Sequence, residues 1–376
     1  MNALIRIAIV FIFASLSSFS QVEVFSEASS NTYPRLKLAF DAINAGTHKG
    51  DITILLTGNT VEIEAAVLYA SGTGSSFYSS IVIMPSGGGS RFVQGSFSSY
   101  KGVIHLDGAD NVRIDGLRDN SNSLTIASMS NGTSVYFTGG ATNNILTRCD
   151  IKGSITISGA GSATAGNGNE DNTISDCDIG PYGPALQYAV WGYGSLGRNN
   201  DNIKIINNRI HDYFVGDMIS SGVYINENNS FWTIEGNYFF HTSAKTYTAG
   251  VSHSAIWIAD GTFSYGHIIR GNIIGKSELI IQSTYELRGV AGSSFYGIYC
   301  NGAETYPSKI MNNTVNAISL SGSFTGMVLG LRFHAIYAQR GVDSICWNTI
   351  GSVASSTISV SNISTGPSSY IWHLCI

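Results

Sequence analysis

Charge is scarce in this chain: Asp, Glu, Lys and Arg make up 12% of its 376 residues, and Lys and Arg never form a run. Binding a phosphate backbone needs clustered cations, and with a formal net charge of −5 no nucleic-acid partner is expected. Proline is rare at 6 residues, while glycine reaches 43 and aromatics 11%, a composition that excludes a disordered tail and a coiled coil. Cysteines number 5, an odd count scattered at Cys149, Cys177, Cys300, Cys346 and Cys375, so they do not make a disulfide scaffold. After residue 20 no stretch is apolar for long enough to cross a membrane, and helical apolar periodicity is missing from most of the chain.

At the N-terminus, "MNALIRIAIVFIFASLSSFSQ" combines Arg6, an apolar core from Ile7 to Leu16, and the small residues Ser18 and Ser20. This is the form of a cleavable secretory signal, 1–20, with a cut expected before Gln21. The mature chain is therefore read as exported, secreted or extracellular, without a transmembrane segment.

Two motifs recur. One alternates small, aliphatic and aromatic residues, in "GVYINENN" (222–229), "SAIWIADG" (254–261), "YGIYCNGA" (296–303) and "HAIYAQRG" (334–341). The other reads I-x-x-N-x-I, in "KIINNRI", "TIEGNYF", "IIRGNII", "KIMNNTV" and "SICWNTI", with Cys replacing Asn in "ILTRCDI" and "TISDCDI". Aligning the second motif sets Cys149, Cys177, Asn208, Asn237, Asn272, Asn313 and Asn348 at one position, with spacings of 28, 31, 29, 35, 41 and 35 residues. Variable spacing about a period marks a repeat array whose insertions are expected to be loops. Each unit holds short strands rich in Ile, Val, Tyr and Phe, which excludes helical solenoids, and leucine-rich spacing does not occur. An all-β parallel β-helix remains, one winding per unit, with like positions stacked about 4.8 Å apart.

Asn suits such a column because a stacked amide donates to one rung and accepts from the other. Stacked Cys149 and Cys177 would point their Cβ atoms alike, so buried free thiols are expected in preference to a disulfide. Before the repeats, Leu36, Ala39, Phe40 and Ile43 share a helical face behind Pro34 and ahead of Gly46, predicting an amphipathic helix over 34–45 that plugs the first winding. The expected layout is a cap with first strands over 21–100 and windings over 101–376. The chain ends at "SSYIWHLCI", which looks like the opening of another winding, so a chain cut short at its C-terminus is expected, with a partner over that edge as the alternative.

"LKLAFDAINAGTHKGDITILLTGNTVE", "LDGADNVRIDGL" and the I-x-x-N-x-I units together resemble a group of secreted bacterial right-handed parallel β-helix proteins. The resemblance implies a right-handed winding and a C-terminal sorting or anchoring domain at the cell surface, which this sequence lacks. Its coil motif is shared by pectate lyases, polygalacturonases, phage tailspikes and adhesins, so the fold supplies no function.

Strand alternation places Val223 with Ile225, and Ile256 with Ile258, in the core. It sends the aromatics outward, each beside a small residue such as Gly222 or Ala255. Trp191, Tyr224, Trp257, Tyr299, Tyr337 and Trp372 are then expected to form a row on the outer face, with Tyr136 further along. Such a row suits the apolar faces of a glycan, with Asn226, Asn301 and Gln339 available to its hydroxyls. Two plainer readings stand beside it: insertions such as 240–253 or 275–295 bury the row, or the rings stack only to hold the sheet.

The catalytic alternative sets Glu227 and Asp260 on adjacent windings, followed by Gly302 and then Arg340. The two carboxylates could share calcium or act as acid and nucleophile on an acidic polysaccharide, with Arg340 neutralising a uronate. Charged residues entering a turn ordinarily just meet water. His241, His253 and His267, with Lys245, lack metal-ligand spacing, and Arg332 with His334 shares one strand face. No nucleophile elbow, phosphate loop or dinucleotide fingerprint is present, nor are the clustered aspartates, Gly-His-Gly and Arg-x-Lys of polygalacturonase-like hydrolases. The sequence thus points to a non-catalytic monomer that binds a polysaccharide or cell-surface glycan without cofactor or metal. A polysaccharide lyase or glycoside hydrolase is the alternative, and a purely structural role stays open.

Overall fold

The computed structural model describes residues 20–364 apart from 28, 98–99, 120, 131, 160–167, 184, 260–262, 276–284, 325–330 and 352–357. Residues 1–19 of the segment read as a secretory signal, Asp260, Trp372 and Cys375 lie outside the described residues.

The chain is a parallel β-helix whose windings build three long sheets of 12, 10 and 9 strands. Each I-x-x-N-x-I motif proves to be two short strands meeting at a corner, as in Lys204–Ile206 of the first sheet and Arg209–His211 of the second. The motif's apolar positions stack inward in register: Ile174, Ile205, Ile234, Ile269 and Ile310 on one side of the corner, and Ile179, Ile210, Phe239, Ile274 and Val315 on the other. All ten are fully buried, each contributing about 1.5–3 kcal/mol by removal from water.

The corner itself requires a left-handed backbone. Asp176, Asn207, Gly236, Gly271 and Asn312 sit there at φ 55°, 56°, 67°, 66° and 56°, the residue types for which that region is least strained. Trp347 occupies the same place at φ 55°, and no feature of the structure explains that choice.

Directly after the corner comes the asparagine column, in the register expected. Asn208 donates from its backbone N and from Nδ2 to Oδ1 of Asn237, at 2.9 and 3.0 Å. Asn237 repeats this toward Asn272, Asn272 toward Asn313, and Asn313 toward Asn348. The second Nδ2 proton goes to a carbonyl of the first sheet, Ile205 O for Asn237 at 2.8 Å. Every polar atom of a buried amide is thus met by the rungs beside it. Cys177 closes the column below Asn208: its N–H donates to Asn208 Oδ1 at 2.9 Å, while its thiol donates to Ser175 O at 3.2 Å. Cys149 and Cys177 are buried free thiols, as expected.

The predicted helix spans Leu36–Asn44 and buries Leu36, Ala39, Phe40 and Ile43. Its first turn is capped from a distance, because buried Glu62 accepts from Leu36 N and Lys37 N at 3.1 Å each and so meets orphan donors beside the positive end of the helix. Strands Val22–Phe25 and Ser30–Tyr33 cover the edge of Lys49–Leu56 in antiparallel fashion. Parallel winding runs from Lys49–Leu56 onward.

The insertions were expected to be loops, and here the structure differs. Lys245–Thr246, Glu286–Gly289, Ser319–Phe324 and Ser359–Ser364 form a further parallel sheet of 4 strands. They leave successive windings at the same place, so their backbones fall within pairing distance.

Candidate functional site

The outer face of the third sheet carries the expected aromatics in one column. The register runs Tyr136, Thr156, Trp191, Tyr224, Trp257, Tyr299, Tyr337. Six steps of about 4.8 Å between these seven rungs make a row of about 29 Å. Trp257 and Tyr299 stack with centroids 4.1 Å apart, Tyr299 and Tyr337 with centroids 5.5 Å apart, and Tyr224 and Trp257 with centroids 6.5 Å apart. Trp191, Tyr224, Trp257, Tyr299 and Tyr337 are half-buried, whereas Tyr136 is 3% exposed. Within insertions 240–253 and 275–295, Lys245–Thr246 and Glu286–Gly289 pair in the further sheet.

The small residues do not flank the rings. Ala189, Ala255 and Ala335 are fully buried in the core, and a Cβ on Gly222 would stand 2.7 Å from both Phe239 and the Ala255 carbonyl. At this residue two successive positions are buried, Ala189 with Val190 and Ala255 with Ile256, so simple alternation fails there. The positions three before the rings form a second column in register, Tyr188, Ser221, Ser254, Tyr296 and His334, in which Ser221 and Ser254 are fully buried. Tyr188 stacks on Tyr224 at 4.4 Å, and Tyr296 on His334 at 4.7 Å with planes 6° apart. Between them Ser254 Oγ donates to Ser221 Oγ at 2.8 Å. Reading by strict alternation missed Tyr188 and Tyr296. Their spacing of three before Trp191 and Tyr299 was the available signal.

Thr156 is the one position without a ring between Tyr136 and Tyr337, and a cavity of about 540 Å³ opens there. Tyr136, Tyr188, Trp191 and Tyr193 wall it. Tyr193 reaches past Thr156 to place its hydroxyl 3.4 Å from that of Tyr136. Hydroxyls line the other side, with Thr156 Oγ1 3.1 Å from Thr133 Oγ1 and Ser154 Oγ donating to Thr133 Oγ1 at 3.2 Å. The buried indole N–H of Trp191 meets no acceptor among the described residues. Burial, then the neighbouring Tyr224, pushes the Tyr188 phenol up to about 12, so it stays protonated at neutral pH.

Of the polar candidates, Asn226 is half-buried and Glu227 exposed. Asn301 donates to Ala259 O at 3.3 Å and accepts from Arg340 Nε at 3.1 Å. Gln339 accepts from the Tyr299 hydroxyl at 2.7 Å. The sequence alignment set Arg340 over Gly302, but a bulge shifts the register so that Arg340 pairs with Asn301. Arg340 is therefore carried off the line through Glu227.

The histidines are held by structural partners. His253 Nδ1 lies 2.9 Å from Ser220 Oγ, and its Nε2 lies 3.1 Å from His241 Nε2 and 3.2 Å from the Tyr285 hydroxyl, all buried. His267 bonds Ser264 and the Trp232 N–H. Arg332 and His334 do share the outer face of their strand. On the second sheet, His211 sits between Asp178 and Asp212 at 2.9 Å from each, an arrangement that the sequence reading missed. Lys152, Arg209 and Lys245 also meet these carboxylates, so the cluster is closed on itself. Burial opposes the charged imidazole, but the bonds from Asp178 and Asp212 outweigh it and raise the His211 pKa. Among the described residues no group of His, Cys, Asp and Glu is arranged to hold a metal ion.

No protein-family model and no curated protein matches this chain. Among solved structures it is similar to PfbA, a surface adhesin of Streptococcus pneumoniae, with 14% identity over 86% of each chain and a TM-score of 0.46. It is also similar to the Dettilon tailspike protein, with 12% identity, covering 90% of this chain and 66% of that one at a TM-score of 0.32. A third similarity is to tailspike gp49 of Acinetobacter baumannii bacteriophage Fri1, a capsular polysaccharide depolymerase, with 12% identity over 86% of this chain and 58% of that one at a TM-score of 0.27. At these identities the likeness is one of fold.

Proposed function

We propose that this is an exported, cell-surface or extracellular protein that binds a glycan chain, without cleaving it, along the outer face of the third sheet. The observation that carries this reading is the column Trp191, Tyr224, Trp257, Tyr299, Tyr337: rings in register, half-buried, one per rung. The C–H faces of successive sugar rings can lie against such a row, and exposed apolar area of this extent on a soluble surface ordinarily meets a partner. Asn226, Asn301 and Gln339 stand beside the row as partners for sugar hydroxyls. Adhesion through surface glycans accords with a secretory N-terminus, and a surface adhesin is among the structures of similar fold. The hydrolase or lyase reading needs Arg340 in line with Glu227 and Asp260, and the bulge works against that.

Retention on immobilised polysaccharides tests the proposal. The protein should be held back without releasing reducing ends or unsaturated products, and Trp257→Ala should abolish retention while the thermal transition survives. Turnover that disappears in Glu227→Ala would instead establish the enzyme.

A further inference from the structure

We propose that the cavity at Thr156 is a subsite for an uncharged sugar unit, which anchors the glycan lying on the ring column and shuts out uronates and other anionic sugars. This deepens the glycan-binding reading and rests on it. The column supplies flat ring faces everywhere except at Thr156, and there the surface drops into a cavity of about 540 Å³. That volume is within the range of about 300–1,000 Å³ typical of small-ligand sites.

The chemistry of the lining selects the ligand. No Asp, Glu, Lys, Arg or His is among the described residues that line it. What it presents is the rings of Tyr136, Tyr188, Trp191 and Tyr193 together with the hydroxyls of Thr133, Ser154 and Thr156 and the amide of Gln187, whose Nε2 already donates to the Tyr188 hydroxyl and to Ile219 O. Hydroxyls and amides both donate and accept, as sugar hydroxyls do. A carboxylate entering the cavity would lose water and meet no cation, a heavy penalty.

Charge is available close by and kept out. A neighbouring cavity of about 460 Å³, sharing Phe97 with the first, is lined by Lys37, Asp41, Glu64 and Lys101. The neutrality of the Thr156 cavity is thus local to it.

Calorimetric titration with dextran, yeast mannan, laminarin and galactan, set against alginate and polygalacturonate, tests this. At least one neutral polymer should bind at least tenfold more tightly than either acidic one. Thr156→Trp, which fills the cavity, should weaken that binding tenfold or more. Thr156→Val, which keeps the volume but removes the hydroxyl, should weaken it several-fold, and decides the matter should the bulkier variant not fold. Acidic polymers binding as tightly as neutral ones would overturn the proposal. So would unchanged affinity in both Thr156 variants, and if Trp257→Ala still lost binding, the ring column would stand while the subsite fell. Unchanged binding in Trp257→Ala, or no binding to any polymer, would remove the glycan reading and the subsite together.

Discussion

The asparagine column at the corner and the ring column on the third sheet are produced by the same register, yet they differ in whether they are complete. Each amide from Asn208 to Asn313 spends its donors and its acceptor on its own neighbours and is fully buried. The rings from Trp191 to Tyr337 are half-buried, and one position of their column is vacated to Thr156. A closed column is what a fold needs to hold itself together. An open one has capacity left for something else, so the test of each is whether its loss shows in stability or in binding.

The largest effect should come from breaking the closed column. Asn237→Ala strips the acceptor from both Asn208 donors and the donor from Ile205 O, leaving several buried polar groups unmet at about 1–3 kcal/mol each. A loss of about 3 kcal/mol or more in urea-induced unfolding is expected. The equivalent cut in the open column, Trp257→Ala, should cost only about 1 kcal/mol of stacking and packing, while glycan retention falls tenfold or more. If Trp257→Ala proved as destabilising as Asn237→Ala, the rings would be structural and the contrast would fail.

Acid separates the two regions again. Burial presses His267 and His253 down to about 3, below the ordinary histidine value of 6.5. Between those values the unfolded chain takes up protons that the folded chain refuses, so stability is full above about pH 6.5 and falls as pH drops toward 3. His267 is fully buried and bonded to Ser264 and Trp232, whereas no Asp, Glu or His is among the described residues that line the cavity. Denaturation midpoints should therefore fall from pH 7 to pH 5 while affinity for a neutral glycan stays level, as long as the protein remains folded. His267→Asn should flatten the acid slope.

How much of this could be read without coordinates depends on how local each signal was. The asparagine column was legible because Asn208, Asn237 and Asn272 each sit between two apolar positions that repeat, and the cap helix because Leu36, Ala39, Phe40 and Ile43 share one face. The row Trp191 to Tyr337 was found for the same reason. A second amide stack, Asn169 to Asn200 to Asn229 at 2.8 and 2.9 Å, was missed, since Asn200 and Asn229 open strands of only two residues with no apolar frame. Glu62 at the helix start was invisible because its partners Leu36 and Lys37 belong to another element. The Thr156 gap emerges only once the register is known: nothing in "SITIS" marks its threonine as a missing ring. Strict alternation misled at Gly222 and Ala255, where the small residue and the aliphatic after it are both buried and a Cβ on Gly222 would meet Phe239 and the Ala255 carbonyl.

The smallest effect gives the finest test, because it asks whether the closed column is one continuous slot. Cys177 occupies the place that Asn holds above it: its N–H donates to the side-chain Oδ1 of Asn208, and its sulfur lies 3.8 Å from Leu146 O, the counterpart of the carbonyl that Asn208 reaches at Ile174. In Cys177→Asn the new amide would donate to Leu146 O and Asn208 Oδ1 and offer its own oxygen to the Cys149 N–H. Since the same backbone corner accommodates Asn on five windings, stability should hold or rise by about 1 kcal/mol, the net worth of a buried hydrogen bond. A loss larger than that would mean the column changes its geometry below Asn208, and that thiols were kept there because an amide does not fit.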